Sequence, residues 1–167
     1  TVGPAISITP ASQTVAPLGG VSFSASGGTG GGYTWFVVAP AHGSIDNMGN
    51  YTAGSTANVI DTVRATDGLG NFATATVNIG PSVTISPSSG NNVTPKGTIA
   101  FTGMGGSGSY TWSITPNNSG GSIDATGHYQ AGNIGSVTDT VKLTDSLGSS
   151  VTVAVTVGAG PTISPSS

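Results

Sequence analysis

The residues that could carry out chemistry are few in this chain of 167 residues. All six acidic residues are aspartates, there are two histidines, and cysteine is absent. Carboxylates held close together could bind calcium, which takes about 6–8 oxygen ligands. These aspartates are spread out without Asp-x-Asp spacing, which favours side chains that cap turns rather than bind a metal. We assign turns in particular to Asp46, Asp67, Asp124 and Asp145, and extend the same interpretation to Asp61 and Asp139.

Motifs for nucleotide binding and nucleophilic catalysis are weak. Gly103, Gly105 and Gly108 match the G-x-G-x-x-G pattern, but that pattern requires a helix after it. The strand-like residues Tyr110 to Trp112 follow instead, so we predict a glycine-rich loop between strands. No serine lies in a G-x-S-x-G motif, and the absence of cysteine excludes a thiol nucleophile. The sequence therefore predicts no enzyme and no cofactor.

Composition and charge exclude further classes of protein. Three basic and six acidic residues give a formal net charge of -3 at pH 7. So few cations cannot build the basic face that nucleic acid binding requires. No apolar run approaches the ~20 residues of a membrane-spanning helix. We therefore predict neither nucleic acid binding nor a membrane span.

The chain repeats itself with a spacing of 77 to 78 residues. Tyr-Thr-Trp at 33–35 returns at 110–112, and Gly-Ser-Ile-Asp at 43–46 returns at 121–124. Self-similarity at a fixed period is typical of repeat proteins. The sequence therefore predicts an array of similar units.

Gly-Pro pairs mark the joints between these units. We predict a first repeat over 1–80, a second over 81–160 and the first strand of a third over 161–167, with 1–3 as the tail of a preceding repeat. We accordingly expect the chain to belong to a longer array.

Hydrophobic residues alternate with small or polar ones, and no segment keeps a helical period. Each repeat contains about seven such strand patterns, separated by turns rich in glycine, asparagine and aspartate. This pattern predicts an all-β fold of two tandem immunoglobulin-like β-sandwich domains. Because no disulfide is available, we expect aromatic residues to fill the two cores, namely Phe23, Trp35, Phe101 and Trp112.

Three motifs follow one another along the repeat: G-G-x-G-x-Y-x-W, G-S-I-D-x-x-G-x-Y-x-A-G and D-T-V-x-x-T-D-x-L-G. This order resembles the tandem bacterial Ig-like repeats of large secreted and cell-surface proteins, of the adhesin, filament or surface-layer type. The resemblance implies an extracellular location and a structural role without catalytic residues. In the first repeat it rests on Tyr33, Trp35, Ile45, Asp46, Tyr51, Gly54, Asp61, Asp67 and Gly70.

The histidines and the mid-strand cations receive a structural interpretation. His42 and His128 occupy different positions in the two repeats. A site built into the repeat would occur twice, so we predict no catalytic or ligand role for either. Arg64 and Lys142 are equivalent and point outward by alternation, and we expect solvated charges that discourage edge pairing.

The most informative differences between the two repeats lie in their third and last strands. Phe36, Val38 and Phe72 of the first repeat are replaced by serine or threonine in the second. The third, sixth and seventh strands of an Ig-like sandwich share one sheet. We therefore predict that these three residues lie on one outer face and form a partner interface, for self-association or for neighbouring repeats of the same chain.

These patterns predict a structural repeat segment of an extracellular surface fibre, filament or surface-layer protein, which acts by rigid spacing and self-assembly. The alternative is an adhesin, or a carbohydrate-binding or spacer module of a secreted protein, with surface glycans as partners. Tyr51 and Tyr129 discriminate between them. Exposed tyrosine rings would favour glycan binding, whereas rings buried against Trp35 and Trp112 would count against it.

Overall fold

The structure is a computed structural model that describes residues 4–28 and 32–161. Over these residues the chain is all-β and divides into two compact units after Ser82, with Gly105–Ser107 grouped with the first unit. The expected repeat tail at 1–3 and all but the first residue of the strand expected at 161–167 lie outside the described residues.

The first unit contains nine short strand segments among the described residues. They are β1 (Ser7–Thr9), β2 (Ser12–Val15), β3 (Gly20–Ser22), β4 (Ser24–Ser26), β5 (Thr34–Val38), β6 (Gly43–Ile45), β7 (Asn50–Ala53), β8 (Val59–Thr66) and β9 (Phe72–Ile79).

The second unit repeats this order of strands. Its segments are β10 (Thr84–Ser86), β11 (Asn92–Val93), β12 (Thr98–Ala100), β13 (Thr102–Met104), β14 (Tyr110–Ile114), β15 (Ser122–Ile123), β16 (His128–Gln130), β17 (Val137–Asp145) and β18 (Ser150–Val157).

Two interrupted strands reconcile nine segments with the seven strands expected from the sequence. Pro10 and Ala11 separate β1 from β2, and Phe23 alone separates β3 from β4. The Phe23 amide leaves the β3–β7 ladder and donates to the Gly49 carbonyl at 2.8 Å. Counted as continuous strands, the segments form the seven-stranded sandwich that the alternation predicted. Two tandem all-β sandwiches are thus confirmed.

Each sandwich has two layers of sheet. In the first unit, one layer has the order β2-β9-β8-β5, with β2 parallel to β9 and the other pairs antiparallel. The opposite layer contains β3-β7-β6 and the β1-β4 pair. The second unit has the same arrangement in β11-β18-β17-β14, β12-β16-β15 and β10-β13. The third, sixth and seventh strands of the sequence pattern, here β5, β8 and β9, therefore share one sheet.

Alternate residues of the long strands fill the core. In β8, Val63 and Ala65 are fully buried while the residues between them face outward. Phe23 is buried against the half-buried Trp35, with ring centroids 6.4 Å apart, and Phe101 meets Trp112 at 6.2 Å in the second unit. Tyr51 and Tyr129 are the largest fully buried side chains of the two cores.

Gly49 and Gly70 provide a matched test of core packing in the first unit. Both have a positive φ, of 86° and 88°, so alanine at either position carries the penalty of a left-handed backbone, about 1–2 kcal/mol. A Cβ at Gly49 would also collide with the Phe23 carbonyl, whereas a Cβ at Gly70 would meet open space. We expect Gly49→Ala to lower the free energy of unfolding by clearly more than Gly70→Ala, measured by urea unfolding. Equal losses would contradict this packing.

Candidate functional site on the outer sheet face of the first unit

The outward positions of β5, β8 and β9 bring together residues that are distant in sequence. Phe36 in β5 pairs with Arg64 in β8, and Thr66 in β8 pairs with Phe72 in β9. Because alternate residues of a strand share a face, Phe36, Arg64 and Phe72 lie on the solvent side of the sheet. Phe36 is 39% exposed and Phe72 56% exposed.

Arg64 joins the two phenylalanine rings. Its Cζ lies 3.6 Å from the centroid of the Phe72 ring and 5.2 Å from that of Phe36. A guanidinium over aromatic rings is stabilised by cation–π attraction. The Arg64 Nε is buried and has no hydrogen-bond partner among the described residues.

The interpretation of Arg64 as a solvated, edge-protecting charge was wrong. Strand β8 lies inside the sheet, between β5 and β9, so its side chains protect no edge. The guanidinium packs against the flanking rings instead of extending into water.

Two further apolar residues extend this face. Val38 is 37% exposed and is paired with Thr62, and Ile60 is 60% exposed on the same side of β8. Ile60 was not among the sequence candidates, although its even-numbered alternation with Thr62 and Arg64 already placed it outward. We call Phe36, Val38, Ile60, Arg64 and Phe72 the outer face of the first unit.

The equivalent face of the second unit is hydroxyl-rich. Ser113 pairs with Lys142 and Thr144 pairs with Ser150, in the positions of the Phe36–Arg64 and Thr66–Phe72 pairs. Thr138 takes the place of Ile60. The two units therefore have the same strand arrangement but present chemically different sheet faces.

A second notable site is a buried carboxylate in the first unit. Asp61 lies within β8 and is fully buried. It accepts hydrogen bonds from the Tyr51 hydroxyl at 2.6 Å and from the His42 backbone amide at 2.9 Å. His42 Nδ1 also lies 2.7 Å from the carboxylate, as an ion pair when the imidazole is protonated. Asp61 thus anchors the loop before β6 to β7 and β8.

The second unit builds the same site from different residues. Asp139, in β17, accepts hydrogen bonds from the Tyr129 hydroxyl at 2.6 Å, from the Ser119 hydroxyl at 2.5 Å and from the Asn118 and Ser119 amides. Ser119 therefore replaces His42, since each residue bonds the buried carboxylate through both its backbone amide and its side chain. Because a serine replaces the histidine, the shared role of both sites is to hold a loop to the sandwich.

These two aspartates correct the turn interpretation. Asp61 and Asp139 occupy inward positions of long strands, and they bind side chains and loop amides rather than cap a turn. The alternation of β8 already pointed to this, because Asp61 falls in register with the inward Val63 and Ala65.

Hydrogen bonding governs the ionisation of both carboxylates. Burial by itself would raise the pKa of Asp61, but the hydrogen bonds from Tyr51 and His42 outweigh it and hold the pKa below 3.8. Burial likewise opposes the hydrogen bonds of Ser119 and Tyr129, which hold the pKa of Asp139 below 3.8. Burial and the bonded carboxylate raise the pKa of Tyr129 to about 12. Burial and the hydrogen bond to Asp61 also raise the pKa of Tyr51, so both tyrosine hydroxyls remain donors at neutral pH.

The other four aspartates lie at turns. Asp46 accepts from the amides of Met48 and Asn50, and Asp67 accepts from those of Leu69 and Asn71. Asp124 and Asp145 bind the amides two and four residues ahead in the same way. In each hairpin turn the carboxylate thus accepts hydrogen bonds from two backbone amides of the same turn.

Neither tyrosine forms a glycan platform. Tyr51 is 1% exposed and Tyr129 is 0% exposed, each within the core cluster that includes Trp35 or Trp112. Across residues 4–28 and 32–161, no group of three or more acidic, histidine or cysteine side chains is placed to hold a metal ion. The same residues include no helix long and apolar enough to cross a membrane.

The sequence matches no protein-family model, and no match is found among curated proteins. Among solved structures, the chain is similar to a C-terminal 282-residue fragment of intimin in complex with the intimin-binding domain of the translocated intimin receptor, with 17% identity and a TM-score of 0.49. This match covers 95% of this chain and 64% of the intimin fragment.

Two further solved structures are similar to the chain. Cadherin domains 1–4 of protocadherin gamma B7 match with 18% identity and a TM-score of 0.38, over 92% of this chain and 50% of that one. A titin Ig tandem matches with 14% identity and a TM-score of 0.33, over 96% of this chain and 100% of that one. The chain thus spans less than two thirds of the intimin and protocadherin chains.

The buried tyrosine–aspartate bonds have a testable energetic role. Tyr51→Phe or Tyr129→Phe would leave a buried carboxylate short of one donor, which costs about 1.5–3 kcal/mol for a hydrogen bond to a charged group. Tyr33→Phe is the matched control, because its hydroxyl donates to the neutral Gly27 carbonyl at 2.8 Å. We expect urea unfolding to show a larger loss of stability for the first two variants. A loss no larger than that of the control would contradict the role of the carboxylate.

The same carboxylates predict acid sensitivity. Their pKa lies below 3.8 in the folded chain, so in acid the unfolded chain binds protons that the folded one does not. The two carboxylates should therefore contribute fully to the free energy of unfolding above about pH 5. This contribution should fall as the pH drops toward about 2. Tyr129→Phe should make this decline shallower, because one bond that lowers the pKa of Asp139 is lost. The measurement is the urea unfolding midpoint at several pH values. A midpoint that does not change between about pH 5 and 2 would refute the predicted acid sensitivity.

Proposed function

We propose that the chain is a structural repeat segment of an extracellular surface fibre, filament or surface-layer protein, which acts by spacing and self-assembly. The outer face of the first unit is the contact surface in this proposal, with Phe36, Val38 and Phe72 at its centre. The partner is another copy of the chain or a neighbouring repeat.

The observation that carries the proposal is the contrast between two equivalent sheet faces. Exposed apolar residues scattered singly over a protein are ordinary, but contiguous apolar patches mark interaction sites. Here Phe36, Val38, Ile60 and Phe72 occupy one sheet face. The second unit has serine or threonine at the same places, so folding of this sandwich does not require apolar residues there.

The alternative function is an adhesin, or a carbohydrate-binding or spacer module of a secreted protein. An aromatic platform for a sugar needs an exposed ring. The burial of Tyr51 and Tyr129 removes the pair of rings that the repeat offered for that purpose. The repeated tyrosines therefore give glycan binding no support, and structural assembly is the function we propose.

Removal of both exposed rings tests the contact surface. We expect the wild-type chain to associate with increasing concentration and the variant Phe36→Ser/Phe72→Ser to associate more weakly. Full burial of one phenylalanine is worth about 1.5–3 kcal/mol. About half of each ring is already buried in the free chain, so the double variant should raise the dissociation constant by about 10- to 100-fold. Sedimentation velocity, with electron microscopy of any polymer, measures the change.

The second unit provides the matched control. Ser113→Ala/Ser150→Ala alters the equivalent positions of the hydroxyl-rich face and should leave association unchanged. A wild-type chain that stays monomeric at all concentrations, or a phenylalanine double variant that assembles as the wild type does, would overturn the proposed contact.

A further inference from the structure

We propose that Arg64 on the outer face of one copy binds the carboxylate of Asp124 in the second unit of another copy, which makes the contact head-to-tail. This inference rests on the proposed function and names the partner surface that self-association would use.

Arg64 is the group on the outer face whose bonding is incomplete. A guanidinium carries five N–H donors and cannot be deprotonated in proteins. Among the described residues it forms no ion pair, and its buried Nε has no acceptor. The two phenylalanine rings hold the guanidinium in place in the free chain. Binding of a partner therefore costs little further side-chain entropy at Arg64. A partner that covers this face must supply an acceptor, and a carboxylate suits a guanidinium best.

A symmetric contact between two outer faces does not supply that acceptor. An isologous interface places the same patch on both sides, and the outer face of the first unit contains no carboxylate. The outer face therefore requires a different surface of the second copy.

Two aspartates of the chain are exposed, and they differ in whether one carboxylate oxygen is free. Asp61, Asp67, Asp139 and Asp145 are buried, which leaves Asp46 and Asp124 as the exposed carboxylates of the described residues. Asp46 accepts hydrogen bonds at both oxygens, from Asn50 Nδ2 to its Oδ2 at 2.9 Å and from two amides to its Oδ1, so a guanidinium would have to share an oxygen there.

Asp124 has an oxygen to offer. Its Oδ1 accepts from the Thr126 amide, the Thr126 hydroxyl and the His128 amide, while its Oδ2 accepts from no described residue. The difference from Asp46 arises because His128 occupies the position of Asn50. Hydrogen bonds from Thr126 and His128, with the nearby His128 side chain, hold the pKa of Asp124 below 3.8, so it is ionised at neutral pH.

The shape of the turn agrees with this role. Asp124 lies in the hairpin between β15 and β16, followed by the small, exposed Ala125 and Thr126. The first unit has Asn47 and the protruding Met48 at the equivalent places. The second-unit turn thus presents its carboxylate with less bulk around it.

A contact between unlike surfaces has a consequence for assembly. Each copy carries both the outer face of its first unit and the Asp124 turn of its second. A heterologous contact propagates from copy to copy and yields rings or open filaments rather than closed dimers.

Charge variants test the pair directly. Arg64→Glu and Asp124→Asn should each raise the dissociation constant of self-association by at least about tenfold. Asparagine keeps an oxygen for the Thr126 and His128 amides, so this variant preserves the turn. The matched controls are Lys142→Glu, which changes the same charge on the other unit, and Asp46→Asn, which changes the equivalent turn. Both controls should associate as the wild type does.

A mixing experiment identifies the partner. Arg64→Glu and Asp124→Lys chains should each associate poorly alone. Equimolar mixing should restore assembly, because the new glutamate meets the new lysine at one contact and the native pair forms at the next. Circular dichroism of each variant verifies folding, and the asparagine variant carries the test if the lysine variant is unfolded.

Three results would overturn the inference. They are unchanged association of Arg64→Glu, unchanged association of Asp124→Asn, and failure of the folded charge-reversed chains to assemble when mixed. Loss of assembly in Phe36→Ser/Phe72→Ser together with any of these would leave the proposed function standing and remove only Asp124 as the partner. A wild-type chain that never associates would remove both.

Discussion

One fully buried carboxylate in each unit, Asp61 or Asp139, holds together parts of the sandwich that no disulfide joins. Asp61 and Asp139 connect a central strand to the tyrosine of the neighbouring layer and to the loop that precedes β6 or β15. A buried charge is costly unless its hydrogen bonds are complete. The folded sandwich must therefore place three elements so that these bonds can form. They are the loop, the buried tyrosine and the long strands in their register.

This constraint acts on the inside of each sandwich and leaves the outside free to change. Inward positions of β8 and β17 carry Asp, Val and Ala or Leu in the same order. Outward positions diverge from phenylalanine and isoleucine to serine and threonine, because water accepts either kind of side chain without disturbing the core. Two units of one fold can in this way present an apolar face and a hydroxyl-rich face, each with one cation, Arg64 or Lys142.

The internal repeat made much of the fold predictable. Period-two alternation identified the strands and assigned Phe23 and Phe101 to the interior, because a strand residue is inward or outward by position alone. The polar interior was harder to predict. His42 and Ser119 have the same role but differ in type, so a comparison of repeats concealed their equivalence. Arg64 was misread because whether a strand lies at an edge depends on sheet order, which alternation does not specify.

The sequence by itself determined the all-β class, the two units, the turn chemistry of the glycine and aspartate hairpins and the faces of the long strands. These follow from local spacing, since the φ and ψ preferences of turns and the alternation of strands involve residues near one another in the chain. Only the tertiary structure decided that Phe36, Arg64 and Phe72 stack on one face, and that Tyr51, Asp61 and His42 meet in the core. Such contacts join separate strands, and their distances depend on the sheet register and layer packing that the whole sandwich sets.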